Sequence, residues 1–279
     1  MSVFRPSAVR RSPYAVHAGA CAAALLLLTA CGDTTSDTTS DTATGNPSVR
    51  ASASVSAGGA GPQADGARRR AASGPHAPVV RPREIPALGP KTRASIPASA
   101  KQVFVVTGDS YNSSLSTAVL YARDNPALGW LPVTTRWPAH NALNGWTDEH
   151  WEGDLRTPVG VYGLTYAGGL FDPPDTAFPY DRNPAFVVSG EGFDGEQLEG
   201  SFDYVVAIDY NRTPGVTPLD RERPLGQERG GGIWIHVDHG GPTQGCVSLP
   251  LDRMRELLST LDPAKKPVVV MGDAEALER

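Results

Sequence analysis

A stretch of nineteen residues near the C-terminus holds the side chains best suited to covalent chemistry. Residues 232–250 read "GIWIHVDHGGPTQGCVSLP" and contain His236, Asp238, His239 and Cys246. A thiol becomes a strong nucleophile when a neighbouring base removes its proton, and histidine titrates near neutral pH. The pattern therefore predicts that Cys246 is a nucleophile and His236 its general base. His239 is a rival base, although its loop position is also typical of an exposed histidine without a role.

Alternation of side chains indicates the strand that would hold His236. Successive residues of a strand point to opposite faces, so Ile233, Ile235 and Val237 of "GIWIHVD" share one apolar face. His236 then projects from the opposite face. The loop that follows is rich in glycine and contains a proline, so it can fold back and return Cys246 to the histidine.

A helix is predicted directly after the cysteine. Apolar residues recur at helical spacing through "LDRMRELLSTL", residues 251–261, and a proline ends the pattern. With Ser248 marking its start, the helix would bring unpaired N–H groups close to Cys246. Because a helix N-terminus favours an anion, we expect a lowered thiol pKa. We also expect the backbone amides of Gly245 and Cys246 to stabilise an oxyanion.

The surrounding sequence has the pattern of a mostly β domain. Short runs rich in β-branched and aromatic residues are separated by clusters of Gly, Pro, Asn and Asp, and they include "QVFVVTG", "AFVVSG", "DYVVAIDY" and "KPVVVMG". We predict a mainly β, sandwich or barrel-like catalytic domain over residues 101–273 with one clear helix, followed by a tail at 274–279. The net charge of −5 comes without a basic stripe, so we expect no nucleic-acid partner, and we expect a monomer.

The N-terminus has the features of an export signal. Arginines precede an uncharged apolar run that is too short to span a bilayer and ends in "LTACGD". Residues 1–30 are therefore interpreted as a signal peptide, and its ending resembles the bacterial lipoprotein signal, in which the cysteine is lipidated. We expect lipid on Cys31 to anchor the protein on the outer face of the cytoplasmic membrane, from which it reaches into the cell wall.

The cysteines and the segment after the signal agree with this interpretation. Residues 32–100 contain no Phe, Tyr or Trp, so we predict a disordered linker over residues 31–100. Of the three cysteines, Cys21 lies in the signal and Cys31 would carry lipid, which leaves Cys246 without a disulfide partner. An unpaired cysteine in an exported chain points to a reactive thiol, and the alternative is a buried apolar filler.

Several blocks of the domain resemble the YkuD-type L,D-transpeptidases. "TQGC", beginning at Thr243, is similar to the Ser/Thr-x-Gly-Cys ending of the family signature, and "IHV" resembles the histidine strand upstream of it. "EGDLRTPVGVYGL", residues 152–164, and "FDYVVAIDYN", residues 202–211, are similar to two further blocks. Together these blocks cover the whole predicted domain.

The resemblance implies a β-rich catalytic fold and a cysteine peptidyl transfer on peptidoglycan stem peptides. It implies that Cys246 is the nucleophile, that His236 is its base, and that a backbone carbonyl near Val237 orients the ring. The implied donor is a stem tetrapeptide, attacked at the carbonyl between a diamino acid and the terminal D-alanine. The thioester would pass to an amine on another stem, giving a 3→3 cross-link, or to water in the alternative L,D-carboxypeptidase reaction. No metal or organic cofactor is implied.

Three features depart from the commonest family pattern and bear on donor and acceptor choice. Gln244 stands where the family commonly has histidine, and Ser248 stands where it often has arginine or asparagine. The loop from the histidine to the cysteine is also shorter than is usual. Thr243, Gln244, Ser248 and His239 are therefore treated as possible supporting residues.

Two other interpretations of these residues remain open. The histidines of the stretch, together with Asp238 and Cys246, are of the types that bind zinc. A wall-binding lipoprotein without catalytic activity would keep the same fold. Glu152 and Asp154 form a possible acid–base pair, although two loop carboxylates are more typical of solvated charge.

Overall fold

The computed structural model describes residues 81–279, and the predicted signal peptide, the lipidation site Cys31 and residues 31–80 of the predicted linker lie outside this range. The described part contains the helices α1 (Pro90–Ser95), α2 (Leu251–Thr260) and α3 (Ala274–Leu277). Its strands are β1 (Gln102–Gly108), β2 (Leu115–Ala122), β3 (Leu131–Pro132), β4 (Trp137–His140), β5 (Trp146–Thr147), β6 (Thr157–Pro158), β7 (Gly160–Gly169), β8 (Tyr180–Arg182), β9 (Val205–Ile208), β10 (Trp234–Val237), β11 (Val247–Leu249) and β12 (Val268–Asp273).

Ten of these strands form one sheet that closes on itself. The order around the sheet is β1–β12–β7–β9–β10–β11–β4–β2, and antiparallel pairing of β2 with β1 completes the ring. β3 pairs with β2, β8 pairs with β7, and β5 and β6 form a separate small sheet. The prediction of a mainly β, barrel-like domain is confirmed.

The apolar face predicted for β10 from the alternation of its residues is buried in the larger of the two hydrophobic cores. Ile233, Ile235 and Val237 are all buried in one cluster with residues of β1, β2, β9, β11 and β12. α2 adds Met254 and Leu257 to the same cluster, so the predicted helix is also confirmed. Burial of this apolar area is the main favourable contribution to the stability of the domain.

Both ends of the domain differ from the predicted boundaries. Ile85 and Leu88 lie in the predicted linker, yet they are 1% and 3% exposed and belong to a second hydrophobic cluster. Leu277, in the predicted tail, is buried in the same cluster, and its carbonyl accepts a hydrogen bond from the Gly89 amide at 2.8 Å. A few apolar residues of each segment therefore pack against residues that are distant in the sequence. The composition of either segment alone does not predict these contacts.

The segment "AFVVSG", residues 185–190, was predicted as a strand and this was wrong. No neighbouring strand pairs with it, and its side chains do not alternate as those of a strand would: Phe186 is buried against the Trp234 ring, whereas Val187 is 62% exposed.

The helices of residues 81–279 are all too short, or too polar, to cross a membrane.

Candidate active site

Parallel pairing of two strands positions the cysteine. β10 and β11 align Ile235 with Val247, so the intervening loop folds back and Cys246 lies just before β11. The Trp234 amide donates a hydrogen bond to the Cys246 sulfur at 3.4 Å. The Cys246 thiol lies 3.6 Å from the carbonyl of Gly232, a residue whose φ of +66° favours glycine.

The cysteine opens onto a cavity of about 380 Å³. One wall is the segment 188–202, which we call the flap, and another is the loop 150–155. His236 and Cys246 both line the cavity, as do His239 and Gln244. The structure therefore brings the two predicted catalytic residues to the same cavity. The volume lies within the range of small-molecule sites.

His236 is held in a single orientation. Its Nδ1 lies 2.8 Å from the Val237 carbonyl oxygen, which can only accept a hydrogen bond, so Nδ1 carries the proton and Nε2 keeps a free lone pair. The ring is 3% exposed, with Phe202 edge-on at 5.5 Å and His239 stacked at 5.8 Å. Burial lowers the pKa of His236 to about 4, which keeps the imidazole neutral.

The thiol differs from the expectation of a lowered pKa. Burial raises the pKa of Cys246 to about 11, and the hydrogen bond from Trp234 opposes this only in part. The predicted proximity to a helix N-terminus was wrong, because β11 separates Cys246 from α2, which begins at Leu251. The free protein therefore holds a neutral thiol and a neutral imidazole.

The backbone around the cysteine is fixed by two threonines. The Cys246 carbonyl accepts hydrogen bonds from Thr243 Oγ1 at 2.7 Å and Thr157 Oγ1 at 3.3 Å. A Cβ on the buried Gly245 would lie 3.0 Å from the Ile233 side chain, so this segment packs closely. Among the backbone hydrogen bonds outside the strand ladders of residues 81–279, none is donated by the Gly245 amide or the Cys246 amide. An oxyanion site requires amides that have no such partner.

His239 connects the loop after β10 to the flap. Its Nδ1 lies 3.0 Å from Glu196 Oε1, and both side chains are largely enclosed. The other oxygen of Glu196 accepts the Asp194 amide at 2.8 Å. His239 thus stacks on the His236 ring and also contacts the flap through Glu196. These contacts indicate a structural role for His239 and not that of a base.

Ser248 lies close to the site but is turned to another partner. It is fully buried and donates a hydrogen bond to Asp238 Oδ1 at 2.6 Å, and His140 Nδ1 lies 2.8 Å from the same oxygen. Burial alone would raise the pKa of Asp238, but the hydrogen bonds from His140 and Ser248 outweigh it and lower this pKa. Ser248 therefore ties β11 to Asp238 at the end of β10, and it does not line the cavity.

The alternative of a zinc site finds no support in the geometry. Within residues 81–279 no group of three or more His, Cys, Asp or Glu side chains is arranged to hold a metal ion. Asp238 is engaged by His140 and Ser248, while His239 is engaged by Glu196, so the suggested ligands do not converge.

His150 and the flap are functional features that were not predicted from the sequence. His150 lies in the loop after β5, is 4% exposed and lines the cavity. It lies two residues before the "EGDLRTPVGVYGL" block, but a single loop histidine has no periodicity that predicts burial. Asp154 lies 3.0 Å from His150 Nδ1, while Glu152 lines the cavity, so the two carboxylates do not act as a pair.

Comparison with known protein families agrees with the observed fold. The family model for the YkuD-type L,D-transpeptidase catalytic domain matches residues 110–270, more than half of the chain. No curated protein and no solved structure shows significant similarity to the chain. The matched range contains β2 to β11, both walls of the cavity, His236 and Cys246. The chain belongs to the L,D-transpeptidase catalytic domain family, which acts on peptidoglycan stem peptides.

Proposed function

We propose that the chain is a cysteine-dependent L,D-transpeptidase that forms a thioester with a stem tetrapeptide and transfers it to an amine, giving 3→3 cross-links. One observation carries the proposal. The hydrogen bond from His236 Nδ1 to the Val237 carbonyl leaves Nε2 as a proton acceptor in the cavity that the Cys246 thiol also lines.

In the acylation step, the sulfur attacks the carbonyl between the diamino acid and the terminal D-alanine. The thiol proton moves to His236 Nε2 as the C–S bond forms, because both groups are neutral beforehand. His236 then gives the proton to the departing nitrogen of D-alanine as the C–N bond breaks. The amides of Gly245 and Cys246 stabilise the oxyanion in between.

In the transfer step, an amine of a second stem attacks the thioester carbonyl and the C–S bond breaks. One proton leaves the attacking nitrogen and one returns to the Cys246 sulfur. Attack by water at the same carbonyl would release a tripeptide instead, which is the L,D-carboxypeptidase reaction. The two reactions can be distinguished in one incubation, because transfer to an amine gives a cross-linked dimer and hydrolysis gives a tripeptide.

The activity is tested with the full-length chain in detergent and a defined stem tetrapeptide. We expect release of D-alanine, a mass adduct on the peptide that contains Cys246, and a cross-linked dimer. Cys246→Ser, which keeps the size of the side chain, abolishes adduct and products. His236→Gln lowers the acylation rate by about 10²–10⁴-fold, the usual contribution of a general base. Wild-type protein that gives neither adduct nor D-alanine would refute the proposal, and tripeptide without dimer would assign the carboxypeptidase reaction.

We also propose that residues 1–30 direct export and that lipid on Cys31 anchors the enzyme on the outer face of the cytoplasmic membrane. The support is the sequence ending in "LTACGD" and the aromatic-free segment that follows it. Metabolic labelling with a fatty acid should mark the wild-type chain and leave Cys31→Ser unlabelled. Equal labelling of the two chains would contradict the anchor.

A further inference from the structure

His150 lines the cavity together with His236 and His239, and the acylation step does not use it. The ring is almost fully buried and packs edge-on against Tyr210, with ring centres 5.3 Å apart. Its Nε2–Cε1 edge lies between Gly230 and Gly245, of which Gly245 lines the cavity. A Cβ on Gly230 would lie 2.7 Å from Nε2, and a Cβ on Gly245, next to the cysteine, would lie 3.7 Å from Cε1. The ring edge therefore reaches the backbone beside the nucleophile.

The other edge of the ring faces a fixed carboxylate. His150 Nδ1 is enclosed and lies 3.0 Å from Asp154 Oδ1, in an orientation that does not complete a hydrogen bond within residues 81–279. Asp154 is held by the amides of Trp151 at 2.9 Å and Arg156 at 2.8 Å. The negative charge beside Nδ1 favours a proton on that nitrogen and leaves the lone pair on Nε2. Burial lowers the pKa of His150, and the charge of Asp154 and a hydrogen bond to the Arg156 backbone oppose this only in part, so the resting ring is neutral.

The charges of the cavity favour a cationic partner. Glu152 and Glu191 line it, and no lysine or arginine is found among the described residues that do so. A primary alkylamine such as the side chain of a diamino acid is an ammonium ion near neutral pH, because its pKa is about 10.4. The two carboxylates attract this ion but do not make it nucleophilic.

An ammonium acceptor has one more proton to lose than water has. To become an amide, R–NH₃⁺ loses one proton before its nitrogen can attack and a second as the C–N bond forms. The second proton goes through His236 to the Cys246 sulfur as the C–S bond breaks. The first needs another acceptor, whereas attack by water needs only the relay through His236.

We propose that His150 accepts this first proton, so that it activates an ammonium acceptor for transfer and selects amine over water. The inference rests on the proposed function, since it concerns the second half of that reaction. The balanced reaction converts R–NH₃⁺ and the thioester into the amide, the Cys246 thiol and one proton. That proton passes from His150 Nε2 to solvent.

The test uses full-length protein, a stem tetrapeptide donor whose side-chain amine is acetylated, and a second stem peptide with a free side-chain amine. His150→Phe keeps a ring against Tyr210 but removes the proton acceptor. We expect its acylation rate to stay within about threefold of wild type, while the ratio of cross-linked dimer to hydrolysed tripeptide falls by about tenfold or more. His150→Gln, which keeps a polar side chain of similar length, should behave in the same way.

Two controls separate proton transfer from packing. Hydroxylamine is largely unprotonated at neutral pH, so its transfer should be equal in wild type and His150→Phe. Tyr210→Phe keeps the ring against His150 but removes the hydroxyl that donates to the Arg229 carbonyl at 2.9 Å and to the His150 carbonyl at 3.4 Å, and it should leave the product ratio unchanged. An unchanged ratio in both His150 variants, or an equal loss with hydroxylamine, would overturn the inference. Absence of any acyl-enzyme in wild type would instead refute the proposed function.

Discussion

The titration of Cys246 is the most direct test of the neutral resting pair. With a pKa of about 11, about one thiol in a thousand is ionised at pH 8. An ordinary thiol with a pKa of about 8.5 is about one quarter ionised at that pH, so the difference is roughly 250-fold. Because the thiolate is the reactive form, alkylation of Cys246 by iodoacetamide should be slow at pH 8. Its rate should rise about tenfold per pH unit up to pH 10.

The assay is mass spectrometry of the peptide that contains Cys246, with N-acetylcysteine amide as the reference thiol. His236→Gln should leave the midpoint of the alkylation profile within about one pH unit, because a histidine with a pKa of about 4 carries no charge at neutral pH. A midpoint below pH 8, or a rate independent of pH between 5 and 9, would show a preformed thiolate–imidazolium pair. That result would contradict the conclusion that burial sets the pKa of both Cys246 and His236.

Three further predictions concern groups around the nucleophile. The folded pKa of His236, about 4, lies below its unfolded value of about 6.5, so its contribution to stability is lost as pH falls through this range. Relative to His236→Phe, the wild-type free energy of unfolding should fall by about 3 kcal/mol between pH 7 and pH 4, and parallel curves in chemical denaturation would contradict this. Thr243→Val removes the hydrogen bond to the Cys246 carbonyl and should lower stability by about 1 kcal/mol and slow acylation, whereas Thr243→Ser should restore both. Glu196→Gln should weaken the contact with His239, speed hydrogen exchange in the flap and raise KM more than it lowers kcat; unchanged exchange would show that this contact does not hold the flap.

The strand and helix nearest the site could be predicted because their periodicity is local. Alternation placed Ile235 in the core, and helical spacing identified α2 with Met254 on its buried face. Strands of two residues, such as β5 and β6, were not found, since two residues carry no period. The boundary at residue 101 was wrong because Ile85 packs against residues far along the chain.

The roles of the supporting residues depended on contacts that the sequence does not contain. Ser248 and Thr243 both lie within five residues of the cysteine, yet one binds Asp238 and the other the Cys246 carbonyl. Strand register decides between such partners, because it sets which backbone and side-chain groups face each residue. His150 was missed for the same reason, since a long-range fold-back brings it beside Gly245.

The sequence by itself determined the family resemblance, the barrel-like β class, and the choice of Cys246 and His236 as candidate residues. These conclusions follow from residue types and short spacings, which are local properties of the chain. Only the tertiary structure decided the protonation of the two groups, because a pKa depends on burial and on neighbours brought from elsewhere. Proximity to a helix start suggested a thiolate, whereas the folded chain encloses the sulfur between Trp234 and Gly232 and keeps it a thiol.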